Sequence, residues 1–406
     1  MPREHESGMT SLSGVLSGPW SAVPVLGVTQ ILAWGALFYP PVLTVPVIAA
    51  ERGWSLAFTM GGLSAGLFSA GLTAPVVGRM IDRHGGHVVM TAGSLLAAAG
   101  LLALVLARDP VAYLGAWAVI GVAMAASLYD PAFATLGRIF GAAARRPITV
   151  LTFVGGFAST VSWPATRVLL DTHGWRGAYL VYAALLALVA APLHAFALPR
   201  TRAPAAEETR RGEAATPPAR SSAFVLVAAG FAAYAFVPSG LAAHLIAILG
   251  RAGIDPAAAV AIGALFGPSQ VAARLFEFAF AGRAHPLMLA RSAFLLISGA
   301  FLVLLVAGVS TPVAAGFAIA FGASNGLVTI ARGTVLLALF GPRGYGGMIG
   351  RIAGPWLVMQ ALAPLVLAVV AERVSDAAAL ATAFAFAVTA LACFAAIRRP
   401  AGPAAG

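Results

Sequence analysis

The chain has 406 residues, 60% of them hydrophobic and only 10% charged, with a mean hydropathy of +0.91. A water-soluble protein of this length needs far more charge to cover its surface, so an ordinary soluble enzyme is excluded and membrane-spanning helices are indicated. The formal net charge of +11 comes from 25 arginines with no lysine, and the single cysteine, Cys393, rules out a disulfide framework or a cysteine-based metal site.

In chain order, the opening stretch MPREHESGMTSLSGVLSGPW has no basic region followed by an apolar core. No cleaved signal peptide is expected, and the first helix acts as its own insertion signal. Twelve apolar segments follow, at 22–46, 56–78, 88–107, 111–138, 148–170, 177–198, 223–249, 257–278, 288–308, 312–339, 348–370 and 377–397. A helix needs about 20 apolar residues to cross a hydrocarbon core of roughly 30 Å. The one long polar interval, PRTRAPAAEETRRGEAATPPARSS at 199–222, is rich in Pro, Ala and charge and reads as a flexible linker. It separates an N-terminal six-helix bundle (1–198) from a C-terminal one (223–406), an all-α membrane protein.

Arginine placement orients the helices. With both termini and the linker on the inner side, sixteen arginines lie in inner loops and tails and five (Arg52, Arg108, Arg176, Arg251, Arg373) in outer loops. That excess follows the positive-inside rule, which is also why the basic balance is not read as a nucleic-acid surface. The expected location is a bacterial cytoplasmic membrane, multi-pass, with cytoplasmic termini.

The halves echo each other. Gly78-Arg79-x-x-Asp82 after helix two lies against Ala273-Arg274-x-x-Glu277 after helix eight; helix four ends in IFG at 139–141 and helix ten in LFG at 339–341. Such repeats are expected of transporters whose binding site lies between two bundles near mid-membrane. Twelve spans, a central inner linker and the loop GRMIDRHGG together make the sequence resemble the major facilitator superfamily; HGWRGAYL at 173–180 is similar to the family's turn between helices five and six. The loop departs mildly from the family signature, with Gly86-His87 where Arg or Lys is usual. The resemblance implies two pseudo-symmetric six-helix bundles, alternating access, and a cavity lined by helices one, four, seven and ten. On that basis Gly78, Arg79, Asp82, Arg83 and Gly85 are assigned to gating. Asp82 can accept hydrogen bonds at helix ends and Gly85 permits a tight turn.

Of fourteen acidic residues, all but Asp130 and Glu277 fall in tails, turns, the gating loop or the linker. Glu277 is placed near the inner end of helix eight, where Arg274 three residues earlier is expected to pair with it in a structural or gating role. Asp130 precedes the end of helix four by ten residues, about 15 Å, so it belongs at mid-membrane, where a carboxylate usually faces a cavity. Arg332 sits at nearly the same depth on helix ten and shares a face with Asn325 and Thr329, so Asp130 and Arg332 are expected either to serve transport or to form a salt bridge locking the bundles. Pro131 is expected to kink helix four, or Asp130 to cap a local break. Gln30 and Trp34 on helix one and Tyr234 on helix seven are weaker cavity candidates. His244 and the helix-five stripe Thr152, Ser159, Trp163 and Arg167 are weaker still, since polar stripes often bridge helices.

The predicted function is secondary active transport of a small, anionic organic solute, with Asp130 taking a proton while Arg332 attracts the anion. No covalent chemistry, cofactor or metal is expected: GxxxxGK[ST] and MxxxM patterns are missing, and His285-x-x-Met288 lies in an inner loop. The expected partners are the substrate, protons and the lipid bilayer, with a monomer as the working unit. A drug exporter is the alternative, disfavoured by Trp and Arg in SWPATRVLL where antiporters carry glycines. A non-transporting membrane sensor is the third, opposed by the intact gating signature and the lack of an appended soluble domain.

Overall fold

The computed structural model describes residues 18–200, 221–281 and 284–398; most of the linker lies outside them. Among the described residues the chain is helical, without strands. Ten continuous apolar runs are long enough to cross a membrane, from Gly18–Arg52 to Asp376–Ala396. One of them, Pro110–Ala197, has 88 residues, about 130 Å at the helical rise and so several crossings in one. It turns at Gly141 (φ 57°) and again at Gly174 (φ 66°), left-handed positions that suit glycine, and so contains helices four, five and six. Among the described residues this gives twelve helices or helix pairs long enough to cross, in line with the twelve apolar segments.

Several helices are built in two pieces, and each break has a local cause. Helix one runs Ala22–Leu37 and Pro41–Arg52, interrupted at Phe38-Tyr39-Pro40, where two consecutive prolines lack the N–H needed to continue. Helix four runs Pro110–Ser127 and Tyr129–Phe140, interrupted by extended Leu128 (φ −84°, ψ −156°). Helix five starts as Arg145–Gly155 and resumes at Ala158, after Gly156 and Phe157. Helix eight runs Pro256–Ala264 and Phe266–Phe276 and ends in the π-turn Glu277–Ala281. The remaining long helices are Leu56–His84 (two), Gly86–Leu106 (three), Ser222–Arg251 (seven), Pro286–Ala307 (nine), Thr311–Phe340 (ten), Tyr345–Arg373 (eleven) and Asp376–Ala396 (twelve).

The repeat is visible in detail. Gly53 and Gly253 take positive φ after helices one and seven, as do Gly141 and Gly341 after helices four and ten. On the face away from the linker, Arg176 holds Glu51 at 2.9 and 2.6 Å, and Arg251 holds Asp376 at 2.7 and 2.6 Å. Residues 51 and 176 match 251 and 376, two hundred positions on, with the charges exchanged. Each strut joins helices of one half.

The halves meet unevenly. Helix two packs along helix eleven through small residues: a Cβ at Gly78 would fall on the carbonyl of Gly346, and one at Gly71 would lie 2.9 Å from that of Gly354. From helices four and five, the pieces that pack on the other half are Tyr129–Phe140 and Arg145–Gly155, which lie on the linker side. Their far-side pieces make no comparable packing across the interface, so the described residues join on the linker side and splay on the far side.

Candidate functional site

Asp130 occupies the first turn of the second piece of helix four. Asp-Pro thus starts a helix here, as Asp109-Pro110 and Asp255-Pro256 do at the far surface, but in the middle of the membrane segment. Pro131 then costs no hydrogen bond, because first-turn N–H groups have no intrahelical acceptor. Asp109 and Asp255 each accept two backbone N–H groups as caps; Asp130 Oδ2 instead accepts from Arg332 Nη2 at 2.5 Å. The pair spans the two halves, with side chains 16% and 10% exposed. Asp130 Oδ1 and Arg332 Nε have no partner among the described residues, and the Arg332 guanidinium lies 4.4 Å from the Trp356 ring centroid, a cation–π contact.

The break in helix four leaves the Ser127 carbonyl without an intrahelical donor, and Gln30 Nε2 of helix one supplies one at 2.8 Å. Gln30 Oε1 accepts from Trp34 Nε1 at 3.2 Å, and the Trp34 ring packs on Tyr129 with centroids 5.1 Å apart. Gln30 and Trp34, expected only as cavity candidates, therefore brace the break that presents Asp130.

The helix-ten stripe is contacted by three helices. Tyr234 of helix seven donates to Asn325 Oδ1 at 3.4 Å, Arg274 Nη2 of helix eight reaches Thr329 Oγ1 at 3.4 Å, and Asp130 holds Arg332. Here the structure corrects an expectation: Arg274 does not pair with Glu277. Arg274 is 3% exposed, donates Nη1 to the Thr152 carbonyl at 2.9 Å, and has neither an acidic partner nor a partner for Nε among the described residues. Gly156 makes room for it, since a Cβ there would collide with Nη1. The Tyr39 and Tyr129 hydroxyls are its electrostatic neighbours.

Glu277 turns the other way and takes Arg145 of helix five at 3.0 Å, an ion pair across the halves on the linker side. Asp82, its equivalent in the repeat, accepts from the backbone N–H groups of Gly346 (2.9 Å) and Gly347 (2.7 Å) at the start of helix eleven. An acid ending helix two engages the start of helix eleven, and an acid ending helix eight engages the start of helix five. Arg138 adds a bond to the Asp82 carbonyl, closing the end of helix two. Gly85 makes its turn at φ 85°, whereas Arg79 and Arg83 are exposed and hold no ion pair among the described residues. Among the weaker candidates, His244 contacts the Pro364 carbonyl at 2.9 Å within its own half, and Arg167 forms an exposed pair with Asp171.

The family model for the Major Facilitator Superfamily matches residues 25–364. The chain belongs to the major facilitator superfamily. This superfamily member is 31% identical over 180 residues to monocarboxylate transporter 3 of Rattus norvegicus, a match covering 43% of the chain and 36% of that protein. It is 36% identical over 115 residues to monocarboxylate transporter 11 of Homo sapiens, covering 28% and 24%. The chain thus spans about a third or less of the curated relatives it matches. Its fold is similar to that of the human organic anion transporter MFSD10 (TETRAN), with a TM-score of 0.71 at 18% identity over 93% of this chain and all of that one. It is also similar to the outward conformation of FucP, with a TM-score of 0.66 at 11% identity over 92% and 99%.

Sequence reasoning missed three contributors in this facilitator. Arg145 could have been found through the repeat, because Asp82 and Glu277 are equivalent and each reaches the start of a helix of the other half. Tyr39 and Trp356 left no signal, since aromatic residues in apolar segments read as packing.

Proposed function

We propose that the protein is a secondary active transporter that carries a small organic anion by alternating access, with Arg274 holding the anionic group. The observation that carries this reading is Arg274 itself, buried between the halves against Thr152 and Thr329 with no acidic partner among the described residues. An uncompensated guanidinium in apolar surroundings is costly, and an anionic substrate supplies the missing charge. Of the two buried arginines among the described residues, Arg332 already has Asp130, which leaves Arg274 for the substrate. The names of the similar proteins, monocarboxylate transporter 3 and the organic anion transporter MFSD10, agree with this class.

Asp130 is the proton site of the proposal: protonation releases Arg332 and weakens the contact joining the halves. The linker face is cytoplasmic by its arginine excess, the membrane a bacterial cytoplasmic membrane and the unit a monomer. Export of lipophilic drugs is disfavoured because two buried arginines serve such cargo poorly. In proteoliposomes, uptake of a labelled carboxylate should be driven by an imposed pH gradient. Arg274→Gln should lower apparent affinity roughly 10- to 100-fold, the scale of one or two lost charge-assisted hydrogen bonds. Asp130→Asn should leave exchange but remove the response to the gradient. Wild-type affinity in Arg274→Gln sinks the anion assignment; intact gradient dependence in Asp130→Asn sinks the proton assignment.

A further inference from the structure

Beside Arg274 runs an unbroken series of aromatic rings from three helices. Trp163 of helix five meets Tyr39 at 6.0 Å between centroids, Tyr39 meets Trp34 at 6.1 Å, and Trp34 meets Tyr129 at 5.1 Å. Exposure grows along it toward the splayed face: Tyr129 is 9% exposed, Tyr39 and Trp34 are half-buried, and Trp163 is 46% exposed. The buried end is next to the cation. A Cβ at Gly155 would collide with the Tyr129 hydroxyl and a Cβ at Gly156 with Arg274 Nη1, so ring and guanidinium occupy adjacent positions on a bare stretch of helix five. Tyr39 is an electrostatic neighbour of the same arginine and lies beside Ser159, one helical turn before Trp163.

We propose that the substrate is a carboxylate with an aromatic or similarly flat apolar body, whose anionic group meets Arg274 while its ring lies along the series Tyr129, Trp34, Tyr39 and Trp163. This deepens the anion reading and rests on it. Rings offered at 5–6 Å spacing favour a further ring placed edge-on or offset, and short aliphatic acids cannot use that surface. An aromatic cage also suits an organic cation, but a guanidinium at its buried end repels one.

The test measures binding to the purified full-length chain in detergent, with benzoate, phenylacetate and 3-phenylpropionate against acetate, propionate and lactate. The arylcarboxylates should bind at least about tenfold more tightly. In Trp163→Leu that ratio should fall toward one, and Trp163→Phe should restore most of it. Equal affinity for both sets, or an undiminished ratio in Trp163→Leu, overturns the proposal. If Arg274→Gln keeps wild-type affinity for both sets, the anion reading fails even where the aryl preference persists. If neither set binds, both fail.

Discussion

Asp130 and Arg332 are each held by little except the other. Removing one partner of a buried pair strands the second charge, a loss on the order of 3–5 kcal/mol, whereas removing both is far milder. Asp130→Asn and Arg332→Gln should each lower unfolding stability in detergent by about 3 kcal/mol, and the double variant should recover at least half of the summed loss. Simple additivity of the two losses would show that the contact couples nothing. Gln30→Leu should cost about 1–3 kcal/mol, because it leaves the Ser127 carbonyl buried without a donor; an unchanged denaturation midpoint would mean that another group takes over. Counting along helices four and ten put Asp130 and Arg332 at comparable positions, and their direct contact was one of two readings left open by the sequence. The break at Leu128 was only one of two options, because an Asp-Pro inside an apolar run fits a kink as well as a start. Its brace comes from a residue 97 positions away, beyond the reach of local sequence signals.

Helices two and eleven make the most extensive packing between the halves among the described residues. Close backbone approach through glycine lets long helices slide or separate with few side chains to unlock. A methyl group at Gly78 must displace the Gly346 carbonyl, whereas one at Gly115 of helix four meets nothing within 4 Å. The same substitution should therefore act with opposite sign. Gly78→Ala should destabilise by about 1–3 kcal/mol through overpacking, and Gly115→Ala should stabilise by up to about 1 kcal/mol through helix propensity. Similar changes at both sites would remove the seam from the account. The signature loop singled out Gly78 and Asp82, which both meet the start of helix eleven, and the alignment with Ala273 and Glu277 pointed to the second acid that contacts the other half. The partner of Glu277 was misjudged because a spacing of three on one helix offers a local pair, while the π-turn Glu277–Ala281 instead ends the helix beside Arg145.

For the whole molecule, the two linker-side latches and the far-side struts differ in what they join. Asp82 and Glu277 each tie one half to the other on the linker side, so under the proposed alternating access they favour the arrangement closed on that side. The Glu51–Arg176 and Arg251–Asp376 pairs lie within single halves and move as rigid parts of them. Only a contact with different strength in the two arrangements can shift the balance between them. The latches are connected to the central pair through the start of helix eleven. Gly346 and Gly347 donate to Asp82, while the adjacent Tyr345 donates to the Gly333 carbonyl at 2.5 Å, next to Arg332, and packs on Gly137 of helix four. Loosening either latch should therefore expose the linker-side seam. In a Cys393→Ser background carrying Val77→Cys, Asp82→Asn should raise labelling by a membrane-impermeant maleimide from the linker side roughly tenfold, the equivalent of one weakened charge-assisted bond. Glu277→Gln should do the same, and the two together should exceed either alone, because the latches sit on different helix pairs. Glu51→Gln should leave labelling unchanged, since its bond does not cross the interface. Equal labelling in all of these variants would mean that the small-residue seam alone, and not the acids, keeps the linker face shut.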